Sequence, residues 1–316
     1  MKRYLLYFLC FFICVILTPT VYSLMPEGLK PEDKEAFIEQ SETSSLPDTD
    51  IVKLYITADG TIEEIPLEDY VAGVLFTELP SEAPYELLKT MAIVIRTYAV
   101  YHIQRGDKNH AGADLCDDPD HCRGFTKTKI TDNVVLSAVS DTKGRVIRYN
   151  GQVIDPIAHI SSSVKTESAE YVFGISVPYL VSVETPDESD MTGFYGKKEF
   201  SKNEFADILT SNGYTVSNTE NHAGWISYIA YTAGARVKTA YICGNEISGT
   251  KLMTMFSLQS ANITVSTGEN GFVFTTEGIG HGVGLSIYGA WVMAEEGKTS
   301  SEIIVHYFSG VYISYN

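Results

Sequence analysis

The chain has 316 residues, of which 44% are hydrophobic and 20% are charged. This composition is typical of a globular protein that is large enough for one or two hydrophobic cores. The formal net charge of -17 argues against a nucleic-acid partner, because phosphate binding requires positive charge.

The N-terminal segment is the most apolar part of the chain. Lys2 and Arg3 precede an uncharged apolar run from Tyr4 to Ser23, which is about the length that a membrane-spanning helix requires. Basic residues on the short side predict that this end stays in the cytoplasm and that the remainder is exported. Residues 1–25 are therefore predicted to be a membrane anchor, and a cleaved signal peptide is the alternative. Residues 26–50 contain eight acidic residues and two lysines, which predicts a disordered acidic linker.

Short strand-like runs separated by turn signals follow the linker. Asn150-Gly151 and Gly244-Asn245 each predict a two-residue hairpin turn, because both central positions of such a turn favour positive φ. A further turn is predicted at Ala58-Asp59-Gly60, between two runs of strand-forming residues.

Three helices are predicted among these strands. Apolar residues recur at helical spacing over Leu67–Phe76, and a second helix over Pro84–Gln104 has Ser81 as its predicted cap. The middle of the second helix is apolar on every face, so we expect it to be buried. The third helix covers Tyr288–Glu296. Few helices among many short strands, without βαβ alternation, predict an α+β fold. Residues 51–316 are predicted to form one extracytoplasmic domain of short antiparallel strands and a few buried helices. An N-terminal transmembrane helix is predicted to precede this domain.

Four residues with metal-binding side chains lie within 13 positions of one another: His110, Cys116, His121 and Cys122. Zinc prefers tetrahedral sulfur and nitrogen ligands, and two cysteines with two histidines fill all four positions. A Cys116–Cys122 disulfide is the alternative, since exported proteins form disulfides readily. We favour zinc because two histidines flank the cysteines. A full ligand set leaves no position for water, so the predicted ion is structural.

The sequence resembles the stage II sporulation protein D family, also called the amidase-enhancer family, in five blocks that occur in the family's order. These blocks are Leu67–Pro80 with its Glu-x-Pro ending, Leu87–Ala99 with Arg96-Thr-Tyr-Ala, the Cys and His residues named above, His159–Glu167 leading to Val177–Val183, and Gly280–Ala290. The chain departs from the family at Ser163-Val164, Ile287 and Gln259, where the family usually has Gly-Gly, Gln and Arg. These departures concern the shape of the loop around Ser163 and any substrate contact made by the replaced groups.

The resemblance implies a lytic transglycosylase that cleaves the MurNAc–GlcNAc bond of peptidoglycan and leaves 1,6-anhydroMurNAc ends. In the family this activity serves engulfment of the forespore, beside a partner cell-wall amidase and a membrane protein. The implied location is the cell membrane, with a single span and the catalytic domain outside.

One carboxylic acid suffices for this reaction, because the C6 hydroxyl of the same sugar attacks the anomeric carbon and supplies the nucleophile. The candidate is Glu78, which lies between Leu75-Phe76 and Leu79-Pro80. It would donate a proton to the glycosidic oxygen and then accept the proton of the C6 hydroxyl. We expect its apolar neighbours to favour the protonated form.

Four further residues are candidates for substrate binding. Arg96 would either hold the lactyl carboxylate of MurNAc or pair with a structural acid. His281 lies in a glycine-rich run and would either hydrogen-bond a sugar or order its loop, and the loop role is favoured. His159 and Lys165 are weaker candidates.

Two competing functions remain open. The chain would act either as the glycan lyase described above or as a non-catalytic module that binds glycan strands and stimulates a partner amidase. A zinc amidase is a distant third possibility, because an amidase must keep an open metal position.

Overall fold

The computed structural model describes residues 50–106, 110, 112–216 and 222–316. The predicted anchor and all but the last residue of the predicted linker lie outside the described residues. Within the described part of the chain, no helix is both long enough and apolar enough to cross a membrane.

The described residues form a mixed arrangement of helices and many short strands. In chain order the elements are β1 Ile51–Ile56, β2 Thr61–Pro66, α1 Leu67–Glu78, α2 Tyr85–Arg105, β3 Leu115–Cys116, α3 Asn133–Asp141, β4 Arg145–Tyr149, β5 Gln152–Val153, β6 Ala158–His159, α4 Ala169–Phe173, β7 Tyr195–Ser201, α5 Lys202–Ser211, a 3₁₀ turn His222–Gly224, β8 Ile226–Tyr231, β9 Val237–Ile242, β10 Asn245–Ser248, α6 Gly249–Met255, β11 Ile263–Thr267, β12 Gly271–Glu277, β13 Leu285–Ser286, α7 Ile287–Glu295, α8 Ser300–Tyr307 and β14 Tyr312–Tyr315.

The strands form small sheets in the orders β2-β1-β3, β10-β9-β8, β11-β12-β7, β13-β6 and β14-β4-β5. Most pairings are antiparallel. The pairs β1–β3 and β13–β6 are parallel, which the local sequence pattern did not indicate because each involves a strand of two residues.

The main hydrophobic core surrounds α2. The residues from Met91 to Ile95 are fully buried on every face of this helix, as its composition predicted. Helix α1 packs against it and buries Tyr70, Val71, Val74 and Leu75. The prediction that Ser81 caps α2 is wrong, because Ser81 lies four positions before α2 begins and its hydroxyl donates instead to the carboxylate of Asp132.

A second core lies in the region from β7 to β12. It is rich in aromatic side chains, with Phe205 stacked on Phe272 at 4.1 Å between ring centroids and Trp225 also buried. The domain predicted from the sequence as one unit therefore contains two large hydrophobic clusters, since the side chains of each cluster pack chiefly with one another.

Two hairpins show how well local turn chemistry predicts this fold. The turn at Asn150-Gly151 is confirmed, with φ of 49° and 85°. The other turn lies at Cys243-Gly244, with φ of 51° and 79°, one residue before the predicted Gly244-Asn245. Asn245 is instead the first residue of β10 and pairs with Ile242.

Candidate active site and metal centre

The structure brings the predicted zinc ligands together, and we call His110, Cys116, His121 and Cys122 the Cys–His cluster. Cys116 ends β3, which pairs in parallel with β1. His121 and Cys122 lie in a turn in which the Cys122 amide donates to the carbonyl oxygen of Asp118 at 2.8 Å. The four ligand atoms lie within 4.8 Å of one another.

The geometry of the Cys–His cluster fits a tetrahedral zinc ion. Cys116 Sγ lies 3.6 Å from His121 Nδ1, and Cys122 Sγ lies 3.4 Å from His110 Nε2. With bonds of about 2.3 Å to sulfur and about 2.0 Å to nitrogen, neighbouring ligands of a tetrahedral zinc ion are about 3.5 Å apart. Both cysteines are free thiols rather than a disulfide. The hydrogen bond between the two thiols lowers the pKa of Cys116 to about 6 and raises the pKa of Cys122, so Cys116 is the thiolate of the pair.

Glu78 is the last residue of α1, and its partner is Arg123, the residue directly after Cys122. Nη1 of Arg123 contacts Oε1 of Glu78 at 2.7 Å and Oε2 at 2.8 Å. The exposed fractions of the two side chains are 13% for Arg123 and 20% for Glu78. The carboxylate therefore lies at a partly open edge beside the Cys–His cluster.

The environment of Glu78 differs from the apolar one that its sequence neighbours predicted. Leu75 and Leu79 are buried, but Phe76 is exposed, and the carboxylate itself contacts a guanidinium. Arg123 lies 45 positions further along the chain, so the residues that flank Glu78 carried no sign of this contact.

Arg123 is held among aromatic side chains. Its guanidinium lies over the ring of Tyr98 at 5.2 Å, within the range of a cation–π contact. Burial is the largest single influence and lowers the pKa of Arg123, but the charge and the hydrogen bonds of Glu78, with smaller contributions from Tyr98 and Tyr70, together make the net shift upward. Tyr70, which stacks on Phe125 at 5.7 Å, has a buried hydroxyl without a partner among the described residues.

Sequence analysis missed a second carboxyl group in this region, Asp155. Burial raises the pKa of Asp155 to about 6, although the positive charges of Arg123 and Arg105 oppose this shift. The backbone N–H of Asp155 donates to the hydroxyl of Tyr179 at 3.2 Å. Because Asp155 precedes a proline, its local sequence has the composition of an ordinary turn, and only the fold brings it into range of Arg123.

Arg96 is not available to a substrate. Its side chain is fully buried, with Nε 2.9 Å from Oε1 of Glu68 and Nη2 2.7 Å from Oε2. Further hydrogen bonds reach the carbonyl oxygens of Ala92, Val139 and Arg145. Of the two roles that the sequence left open for Arg96, the structure shows the ion pair with an acid, which is Glu68.

His159 and His281 lie close together, with ring centroids 5.8 Å apart. Nε2 of His159 is 2.6 Å from Oγ of Ser162, and the amide of Val283 donates to Nδ1 of His281 at 3.0 Å. Burial lowers the pKa of His281 to about 4, and the pKa of His159 is also lowered, so both rings are neutral near pH 7. Among the described residues, neither ring makes a hydrogen bond or ring contact with Glu78 or the Cys–His cluster.

Behind these histidines lies a buried arginine that sequence analysis did not identify, Arg236. Its Nη2 donates to Oγ of Ser162 at 3.1 Å, and its Nη1 donates to the carbonyl oxygen of Lys165 at 3.0 Å. Gly282 packs directly on the guanidinium. His281 therefore lies in a glycine-rich loop that packs on Arg236.

Lys165 and the positions that depart from the family pattern have local partners. The ammonium of Lys165 lies 3.7 Å from a carboxylate oxygen of Glu184 at the surface. Nε2 of Gln259 donates to three backbone carbonyl oxygens, those of Gly193, Phe194 and Gly278. Ser163 donates to Glu277, Val164 is exposed, and Ile287 begins α7. The described contacts of these side chains are structural.

Comparison with known proteins identifies relatives over most of the chain. The profile of the family described as stage II sporulation protein matches residues 56–149. Stage II sporulation protein D of Bacillus amyloliquefaciens is 32% identical over 83% of this chain and 78% of that protein, and its namesake in Bacillus subtilis (strain 168) is 31% identical over 90% and 83%. The amidase enhancer of Bacillus subtilis (strain 168) is 26% identical over 75% of this chain and 39% of that protein. The matched profile includes Glu78, Arg123 and the whole Cys–His cluster.

Proposed function

The chain belongs to the stage II sporulation protein D family, a family of sporulation proteins, and on this premise we propose that it is a peptidoglycan lytic transglycosylase with Glu78 as its catalytic acid. The observation that carries the proposal is the position of this carboxylate. It ends a helix packed into the main core, is 20% exposed, and is held by an arginine that directly follows a predicted zinc ligand. A rigid support of this kind orients a proton donor for transfer.

The proposed reaction needs one carboxyl group. Glu78 donates its proton to the glycosidic oxygen as the bond from the anomeric carbon breaks. The C6 hydroxyl of the same sugar attacks that carbon, and its proton returns to Glu78, so that a 1,6-anhydro end forms without an added nucleophile. The products are a shortened strand and a strand with an anhydroMurNAc end.

The four residues of the Cys–His cluster would hold one zinc ion. When bound, the ion supplies a fixed crosslink rather than an open coordination position. The backbone of Cys122 leads directly into Arg123, so an ordered cluster keeps the guanidinium in place beside Glu78.

We place this activity outside the cytoplasm, behind the membrane anchor predicted for residues 1–25. The relatives named stage II sporulation protein D support a role in sporulation, and the amidase-enhancer relative supports work beside a partner cell-wall amidase. The family resemblance implies that the process is forespore engulfment and that a membrane protein of that machinery is a further partner. The alternative function is a non-catalytic module that binds glycan strands and stimulates such an amidase. The amidase-enhancer relative favours this alternative.

Digestion of purified peptide-free glycan strands with the full-length protein separates these functions. Mass spectrometry is expected to detect anhydro-ended products with the wild type. With Glu78→Gln the amount of these products is expected to fall by about a hundredfold or more, which is a typical loss for a general acid. Glu82→Gln, an exposed acid four residues further on, is the matched control and is expected to cleave normally. Unchanged cleavage by Glu78→Gln would show that Glu78 is not the acid. Stimulation of an amidase by a wild type that forms no anhydro ends would establish the alternative.

A further inference from the structure

A cavity of about 230 Å³ lies on the outer face of the sheet β11-β12-β7, and none of the described residues that line it belongs to the candidate site around Glu78. Phe272 and Phe274 of β12 are buried in the second core, on the other face of this sheet. Successive side chains of a strand point to opposite faces, so Thr275 and Glu277 point away from that core. The outward side chains that line the cavity are Tyr195, Lys197, Asn262, Thr264, Thr275 and Glu277.

The register of the strands arranges these side chains in rows across the sheet. Tyr195 of β7 lies opposite Glu277 of β12. Lys197 lies opposite Thr275, and Thr275 lies opposite Thr264 of β11. Side chains that are directly opposite on one face of an antiparallel pair are close neighbours. An exposed aromatic ring and a carboxylate therefore border one end of the cavity, and hydroxyl groups and an ammonium group border the other.

Several polar groups of the cavity are available to a ligand. Within the described residues, the side-chain amide of Asn262 and the hydroxyl of Thr264 make no hydrogen bond to protein, because the contacts of both residues use backbone atoms. Oε2 of Glu277 accepts from Oγ of Ser163 at 2.7 Å, which orients the carboxylate and leaves Oε1 for another donor. The cavity thus offers both donors and acceptors.

The charges and the lining of the cavity argue against an anionic or a wholly apolar ligand. The ammonium of Lys197 lies 2.6 Å from a carboxylate oxygen of Glu199. Together with Glu277, this pair leaves the cavity without an excess of positive charge. Among the described residues that line it, none is an aliphatic hydrophobic residue. A matching ligand is neutral and rich in hydroxyl groups, and it has one apolar face for the exposed ring of Tyr195.

We propose that this cavity is a binding subsite for one neutral sugar residue. The C–H face of the sugar stacks on Tyr195, while hydroxyl and amide groups at its rim hydrogen-bond Glu277 and Asn262. Ligand pockets typically measure about 300–1,000 Å³, so a cavity of about 230 Å³ suits a single sugar ring. The identity of the sugar rests on the proposed function. In a peptidoglycan strand the neutral residue is GlcNAc, because MurNAc carries a lactyl carboxylate or a stem peptide.

The cavity adjoins the loop that contains His159. Ser163, which orients Glu277, follows Ser162, and the hydroxyl of Ser162 lies 2.6 Å from Nε2 of His159. A sugar bound to Glu277 is therefore one hydrogen-bonded residue away from this loop. Gln259 lies beside the cavity at Gly196, where an added Cβ would come within 2.5 Å of Oε1 of Gln259. Ser163 and Gln259 are both positions at which the chain departs from the family pattern.

Threonine-methyl NMR of the full-length protein in detergent tests the proposal at the site itself. The probe is tetra-N-acetylchitotetraose, a neutral oligomer of GlcNAc. We expect its addition to shift the methyl resonances of Thr264 and Thr275, and their titration curves give a Kd for this cavity alone. Tyr195→Ala is expected to raise this Kd about tenfold, because the stacking surface is lost. Glu277→Gln keeps an acceptor for Ser163 but removes the charge, and is expected to raise it about fivefold.

Matched controls make each result decisive. Tyr195→Phe retains the ring and should bind within about twofold of the wild type. Tyr228→Ala removes a tyrosine of similar exposure, 59% against 65% for Tyr195, from a different sheet and should leave the Kd unchanged. Because the probe is uncharged, the Kd should change little between about 0.05 and 0.5 M NaCl.

Three results would overturn the proposal: no methyl shift at Thr264 and Thr275, a Kd that neither Tyr195→Ala nor Glu277→Gln changes, or affinity that falls steeply with salt. The outcome is distinguishable from that of the proposed function. Tyr195-dependent binding by a protein that forms no anhydro ends would leave this subsite standing while the proposed function fails. Strand cleavage without any methyl shift would remove the subsite alone.

Discussion

Replacement of Glu68 by Gln tests the structural role of Arg96. The side chain of Arg96 is fully buried, and Glu68 is the acid that neutralises it through two hydrogen bonds of 2.7 and 2.9 Å. The variant keeps the shape of the side chain and one acceptor but removes the negative charge. Arg96 would then carry an uncompensated charge inside the main core.

The expected cost is about 3 kcal/mol. Loss of one partner from a buried ion pair typically costs 3–5 kcal/mol. The lower end applies here, because the Glu68 side chain is 28% exposed and carbonyl oxygens still accept from the guanidinium. For a protein of roughly this size, 1 kcal/mol lowers Tm by about 2–4 °C, so we expect a decrease of about 6–12 °C.

Thermal and urea unfolding followed by circular dichroism measure this change. Asp69→Asn, an exposed acid in the same turn of α1, is the control and should lie within about 0.5 kcal/mol of the wild type. The double variant Glu68→Leu with Arg96→Met should be more stable than Glu68→Gln, because it buries no charge. An unchanged Tm for Glu68→Gln together with a loss of sugar binding would refute the structural role and return Arg96 to the substrate site.

Three further predictions concern the metal, the second carboxyl group and the glycine-rich loop. Extraction with a zinc chelator is expected to remove about one zinc ion per chain and to lower Tm, and Cys122→Ser is expected to purify with much less zinc by elemental analysis. The raised pKa of Asp155 means that the folded state binds its proton more tightly than the unfolded state does. The Asp155→Asn variant should therefore match the wild type in stability below about pH 4 and exceed it by up to about 3 kcal/mol above about pH 6. Urea titrations at several pH values measure this difference. An equal difference at every pH would contradict this assignment. Gly282→Ala should lower Tm more than Gly297→Ala, since both have positive φ but only at Gly282 would the added Cβ lie 2.2 Å from the guanidinium carbon of Arg236.

Turns were predictable from the sequence where neighbouring residues decide the conformation. Asn150-Gly151 adopts the expected turn because both residues tolerate positive φ. The second hairpin turn moved to Cys243-Gly244 because the Asn245 side chain donates to the carbonyl oxygens of Ile242 and Cys243 at 3.1 and 3.3 Å, which closes the turn from its end. Turn propensity alone does not include such a contact, so the prediction was displaced by one residue.

In the candidate site, too, some features could be predicted from the sequence and others could not. The Cys–His cluster was visible in the sequence, because its four side chains lie within a short stretch and are of types that can bind a metal. The partner of Glu78 was not visible, since Arg123 is separated from it by 45 positions and approaches only after the loop folds back over α1. Arg96 remained ambiguous for the same reason, because its partner Glu68 is 28 positions earlier.

The sequence by itself determined the class of the protein, the helices around the main core, the predicted metal ligands and the catalytic candidate Glu78. These features depend on residue type and on spacing over a few turns of chain, where propensity and burial patterns act. The tertiary structure alone decided which charges meet: Arg123 with Glu78, Arg96 with Glu68, and Asp155 within reach of Arg123. Such pairs depend on distances of a few ångströms between remote segments, and one-dimensional order carries no measure of those distances.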